Sequence, residues 1–319
     1  MNHRSRLAAA LAAALFVAPA YAATPINETR PLDADGTVSI SNIQGRITVR
    51  TWDQPQVKIT GSLGKGVEKL AIEGDANALH IEVRYPENRG IWGWGRRGPQ
   101  EEPTMLEVTL PRRASVEAEA VSADVDVQGV LGRRLDIESV SGDVTVSRSA
   151  PGRADIEAVS GDLELWLDTA DLKIGNVSGD TNVHGAITGD IDLESVSGNL
   201  VLAARQVRRL NVSTVSGDAD VRLALAQGAS LDGESVSGNI TITLPAGTSA
   251  RLNAESFSGD IDSPVGRVEE EEHGPGSSLE ARLGGGSAQV QVETLSGDIR
   301  FRTADAPRPA GKDTPPDVE

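Results

Sequence analysis

The chain has 319 residues, no cysteine, a formal charge of −17 and only 3% aromatic residues. That acidity excludes a nucleic-acid ligand, which needs a basic stripe, and the missing cysteines exclude disulfides, so stability must come from burial and hydrogen bonding. Thirty-four glycines with so few aromatics suit a turn-rich repeat and argue against a globular enzyme core.

The first element is an export signal. A basic start with Arg4 and Arg6, an apolar run over 7–18 and the small residues Ala20 and Ala22 predict a signal peptide over 1–22, cleaved after Ala22. The run is shorter than the roughly 20 residues that span a bilayer. After cleavage no integral membrane anchor is expected, the charge moves to −19, and the mature chain belongs in the periplasm or outside the cell.

Residues 23–115 read as opening β coils. Around Gly45, the residues Val38, Ile40, Ile43, Ile47 and Val49 alternate as a strand pair does, and shorter strands follow at 57–60, 70–72, 79–85 and 105–110. A Trp- and Gly-rich loop over 86–103 carries Trp92 and Trp94 beside Arg96 and Arg97. Exposed Trp with Arg is the composition of a binding hot spot. The same rings could instead close the end of a stacked repeat, which needs an apolar lid.

From 116 to 302 the chain is a repeat. An apolar residue followed by Ser-Gly-Asp or Ser-Gly-Asn recurs with its glycine at Gly142, Gly161, Gly179, Gly198, Gly217, Gly238, Gly259 and Gly297, after a degenerate copy at Ala123. Successive steps are 19, 19, 18, 19, 19, 21, 21 and 38 residues, the last read as two coils, the second obscured by an insertion. Seven and five residues before each glycine stand apolar residues such as Leu135 and Ile137; two and four after it stand pairs such as Val144 and Val146. Period-2 alternation on both sides of a fixed turn predicts two strands per coil, with a corner at the apolar residue before Ser-Gly-Asp. One coil cannot bury its apolar face alone, so the prediction is an all-β solenoid of coils of about 19–21 residues.

The outward positions of the first strand are acidic. Asp136 and Glu138, Asp155 and Glu157, and Asp192 and Glu194 typify a face of twelve carboxylates and one lysine, Lys173. It reads either as a solvated face or as a dock for cations, calcium included, or for a basic partner. The Ser-Gly-Asp turns read as structural ladders, because an ion site would not exchange Asp for Asn199 and Asn239. Arginines in the connecting turns, Arg134 and Arg153 among them, are placed to brace the carboxylates. An acidic insertion at 269–272 and a Pro-rich tail at 303–319 read as a solvated loop and a disordered tail.

These Val-Ser-Gly-Asp strand-turn-strand repeats, led by Gly-Thr-Val-Ser-Ile-Ser-Asn-Ile-Gln-Gly-Arg-Ile-Thr-Val at 36–49, resemble the bacterial "putative adhesin" family of β-strand-repeat domains over roughly residues 30–302. The resemblance implies a β-helical domain and an envelope or secreted location; it brings no catalytic or ligand-binding residues.

No metal-ligand spacing, phosphate loop, nucleophile elbow or dinucleotide fingerprint occurs. The expectation is therefore a non-catalytic exported scaffold or adhesion module without a cofactor, meeting an envelope protein or a polysaccharide. A β-helical polysaccharide-active enzyme and a divalent-cation-binding envelope protein are the alternatives.

Overall fold

The computed structural model describes residues 24–86, 103–270 and 275–304. All regular structure in them is β-strand, joined in one hydrogen-bonded system. The strand before each turn (Arg134–Ser141, Arg153–Ser160, Asp171–Ser178, Asp190–Ser197) lies parallel to its equivalent in the next repeat. The strands after the turns do the same, as in Val144–Ser149, Leu163–Leu167 and Thr181–His184.

The pairing sets like residues on like. Ile137 lies opposite Ala118 and Ile156, and Leu163 opposite Val144 and Thr181. Ile137, Ile156, Val144, Leu163 and Leu165 are fully buried. The core is thus two sets of stacked apolar columns, one from each side of the turn, and the alternation seen in the sequence is the alternation between core and solvent.

The opening region departs from stacked coils. Thr37–Trp52 is a coil in its own right, parallel to Ser115–Gln128 with Val38 opposite Val116 and Ile47 opposite Val125. Its other side is covered by Ala78–Arg84 and Thr104–Pro111, both parallel to it. The remaining strands run antiparallel: Lys69–Gly74 on Ala78–Arg84, Gln56–Leu63 on Thr104–Pro111, and Thr24–Pro31 on Gln56–Leu63. For Lys69–Gly74 the cause is chain length. Three residues separate it from Ala78, whereas a parallel return needs a dozen or more. Asp75 accepts the backbone N–H groups of Asn77 and Ala78 and fixes that tight turn.

The far end departs from chain order. The 38-residue step does not hold a second stacked coil. Ala250–Ser256 turns back into the antiparallel strands Arg267–Glu270 and Ser277–Leu283. The chain then returns as Ala288–Thr294, which slots between the 230–235 stretch of Ala219–Ser235 and Ala250–Ser256. The final strand, Ile299–Ala304, likewise sits between Ile240–Pro245 and Ile261–Asp262. It carries regular structure through Ala304, just past Thr303, where the tail was expected to begin.

Candidate functional site

The turn explains its own sequence. Gly142, Gly161, Gly179, Gly198 and Gly217 adopt φ between +123° and +141°, in the region open to glycine. The aspartates and asparagines that follow form a hydrogen-bond ladder. Asp143 Oδ1 accepts the backbone N–H of Asp162, Asp162 that of Asp180, Asp180 that of Asn199, and Asn199 that of Asp218. Asp218 continues to Asn239, Asn239 to Asp298, and Asp298 to Asp260, which follows the spatial order of the rungs. Only a side-chain Oδ1 is needed, and Asp and Asn both supply one; this accounts for their exchange. Among the described residues no group of three or more His, Asp or Glu is placed to hold a metal.

The ladder makes a prediction. Asp180→Asn should leave stability nearly unchanged. Asp180→Ala should cost about 0.5–1.5 kcal/mol by removing the acceptor of the exposed Asn199 backbone N–H, now held at 2.8 Å. Urea unfolding of the two variants measures the difference. An equal loss in both would mean that the carboxylate charge, not the acceptor, is what the turn needs.

Three residues before each glycine lies a column that sequence reasoning passed over. Ser139, Asn176, Thr214, Ser235 and Thr294 are buried there and donate to the carbonyl of the glycine three residues on. Small polar residues at that spacing were the available signal.

The largest departure concerns the apolar residue two before the glycine. The strand does not turn there. It continues through Ser141, Ser160, Ser178, Ser197 and Ser216, so the turn falls on the glycine; only in the last three rungs does the strand end at Ser235, Ser256 or Thr294, just before the apolar residue. By alternation the apolar residue then points outward with the acidic positions two and four residues earlier. Val140, Val159, Val177 and Val196 are 46–49% exposed, and Phe257 reaches 62%. Of the twelve large apolar side chains exposed among the described residues, ten stand in this one column, from Ile43 to Phe257. Scattered exposed apolar residues are ordinary; a continuous row of them is not.

Beside it runs the acidic face. Glu138 lies opposite Glu157 in register, Asp136 opposite Asp155, and Asp192 and Glu194 opposite Lys173 and Gly175. The two acidic rows differ. The inner one is braced at two rungs, Arg134 pairing with Asp136 and Arg153 with Asp155. In the outer row, Lys173 binds Glu157 at 2.5 Å, and this hydrogen bond, helped by the charge of Asp155, raises the lysine pKa above its ordinary value. No ion pair reaches Glu119, Glu138, Glu194 or Glu234 from the described residues. Neighbouring carboxylates about 4.8 Å apart repel by roughly 0.9 kcal/mol per pair in water.

Between the outer acidic row and the apolar row lies a groove of about 1030 Å³ that runs along most of the stack, from Ser41 and Glu119 to Glu293 and Leu295; the end residues of the apolar row, Ile43 and Phe257, lie beyond its lining. One wall is carboxylate and the other apolar. Of the predicted site residues, Glu138, Glu157 and Glu194 line this groove, while Asp136, Asp155 and Asp192 lie on the same sheet face but do not line it. Trp92, Trp94, Arg96 and Arg97 lie outside the described residues. On the opposite strand face Trp166 stacks on His184 with ring centroids 4.4 Å apart, a contact between neighbouring rungs.

Fold and groove together define an all-β, solenoid-like domain with an open amphipathic face. The chain belongs to the Toastrack DUF4097 family, which it matches over residues 37–302. A protein from Parabacteroides merdae described as a "putative adhesin" is similar in structure, with 13% identity, 88% of this chain and 96% of that one covered, and a TM-score of 0.52. Two proteins from Parabacteroides distasonis align more loosely. One, described as a "putative adhesin", has 13% identity, coverage of 87% and 97%, and a TM-score of 0.44. The other, described as a "putative lipid binding protein", has 11% identity, coverage of 88% and 97%, and a TM-score of 0.33. Identities this low speak to the fold alone. No curated protein matches the chain.

Proposed function

We propose that this chain is an exported, non-catalytic binding module of the bacterial cell envelope, with the amphipathic groove as its working surface. The observation that carries this reading is the row of ten outward apolar side chains, each about half exposed. Covering a half-exposed valine is worth about 1 kcal/mol, and a soluble domain gains nothing from leaving ten of them in line. The basic, apolar and small-residue succession over 1–22 supports export. The carboxylates support binding over catalysis, because they recur as equivalent rungs, whereas glycoside chemistry needs two placed in distinct environments.

The test is whole-cell photo-crosslinking from two positions, Val177 in the groove and Thr145 on the outward face of the other strand. A discrete adduct from Val177 and none from Thr145 is the expected result. No adduct from Val177, or the same adducts from both positions, would remove the groove as the working surface.

A further inference from the structure

We infer that the groove takes a cationic amphipathic helix, its apolar stripe seated on the valine row and its Lys and Arg side chains facing the outer glutamates. This rests on the groove being the binding surface and adds the chemistry of the occupant.

Charge chooses the sign. The wall presents Glu119, Glu138, Glu157, Glu194, Glu234 and Glu293, with Lys173 as its single cation. Five of these six glutamates, all but Glu157, have no ion pair among the described residues, so an incoming cation meets carboxylates without a counter-charge and relieves their mutual repulsion. An anionic lipid surface, an acidic peptide or a second copy of this acidic chain would add to the repulsion.

Backbone satisfaction chooses the conformation. The strands beneath the groove already pair on both sides, Arg153–Ser160 with Arg134–Ser141 and Asp171–Ser178 for example. An extended peptide lying across them would find no free ladder, while a helix brings its own hydrogen bonds and needs only side-chain contacts. The spacings are close, about 4.8 Å between apolar side chains along the stack and about 5.4 Å along a helix stripe, so the two stay in step over about four rungs and drift by about one rung over the whole groove. The nine rungs that line the groove extend about 38 Å, the length of a helix of about 26 residues.

The experiment titrates the purified protein against three fluorescent 28-residue peptides: a Leu/Lys peptide with an apolar stripe, a scramble of it without the stripe, and a Leu/Glu peptide with the stripe. Fluorescence anisotropy is read at low and high salt. Expected are binding of the Leu/Lys peptide that weakens with salt, at least tenfold weaker binding of the scramble, and none of the Leu/Glu peptide. The triple variants Glu138→Gln/Glu157→Gln/Glu194→Gln and Val159→Thr/Val177→Thr/Val196→Thr should each lose at least tenfold. Equal binding of the scramble, equal binding of the Leu/Glu peptide, or unaltered binding by either variant would overturn the inference. A neutral solvatochromic dye separates the two levels. If it brightens on the native protein and not on the valine variant while the Leu/Lys peptide fails to bind, the groove stands and the helix falls. If dye and peptide both fail, both readings fall.

Discussion

Replacing Gly198 with alanine should cost about 3 kcal/mol or more, because strain and collision act together at one atom. Its φ is +128°, where an L side chain is strained, and a Cβ there would stand 2.1 Å from the Gly179 carbonyl oxygen. That oxygen is backbone held in the same turn of the preceding rung and cannot swing aside. Gly161, Gly179 and Gly217 repeat the geometry, each with positive φ and a preceding glycine carbonyl 2.0–2.3 Å from the would-be Cβ, while Gly238 shares the close approach, at 1.9 Å, without the positive φ. Ala123 fills the same column in the degenerate copy, and it does not share the conformation: Arg148 is the one non-glycine with positive φ among the described residues. Gly228→Ala is the control. Its φ of +73° carries the strain, but nothing lies within 4 Å, so about 1–2 kcal/mol is expected. Urea unfolding of both variants decides; equal losses would show that the turn ladder tolerates a side chain.

A second pair of substitutions separates the two kinds of apolar column. Ile156→Ala should cost about 2–5 kcal/mol, since its side chain is fully buried between Ile137 and Ile174 on adjacent rungs and a cavity would open there. Val159→Thr, three residues on, should change stability by no more than about 0.5 kcal/mol. It keeps the β-branched shape, and the valine is 49% exposed. The prediction is read as two midpoints in one denaturant series. A loss above about 2 kcal/mol for Val159→Thr would place the valine row in the core and deprive the groove of its apolar wall.

The repeat was legible because its physics is local. A strand with one buried face must alternate, and the glycine must return wherever φ is positive, so Ile137 and Val144 could be assigned to the core from spacing alone. Strand neighbours are a different matter. The alternation of Val290 and Val292 fits any rung of the stack, and nothing in it tells that Ala288–Thr294 enters between two earlier strands. The antiparallel strands of the opening region were hidden for the same reason, except where a three-residue turn such as 75–77 forces the direction.

The groove was half legible. The carboxylate rows stand in the sequence at fixed offsets, and Glu138, Glu157 and Glu194 line the groove. The valine row was visible too, as an apolar residue out of phase with the core. A corner at that residue would explain the break in phase while keeping both apolar sets inward, and spacing alone does not distinguish that from an outward row. The outward direction follows only once the strand is known to continue through the serine. Neither row on its own marks a binding surface.

The entry of Ala288–Thr294 between older rungs bears on how the stack is finished. From Ser115 to Ser235 each rung closes on its neighbour over a short stretch of chain, Leu135 meeting Ala154 after 19 residues. Leu231 meets Val290 only after 59. Closing the longer loop costs about 1 kcal/mol more in chain entropy. Ala250–Ser256 has no place in the stack until the strand that follows it has arrived, so the penultimate rung is the last to be delivered. A chain emerging amino end first can therefore build its rungs as they appear up to Ser235, but it must be released through Thr294 before Ala250–Ser256 is sealed into the stack. Its length is set by a wedge and not by a final added coil.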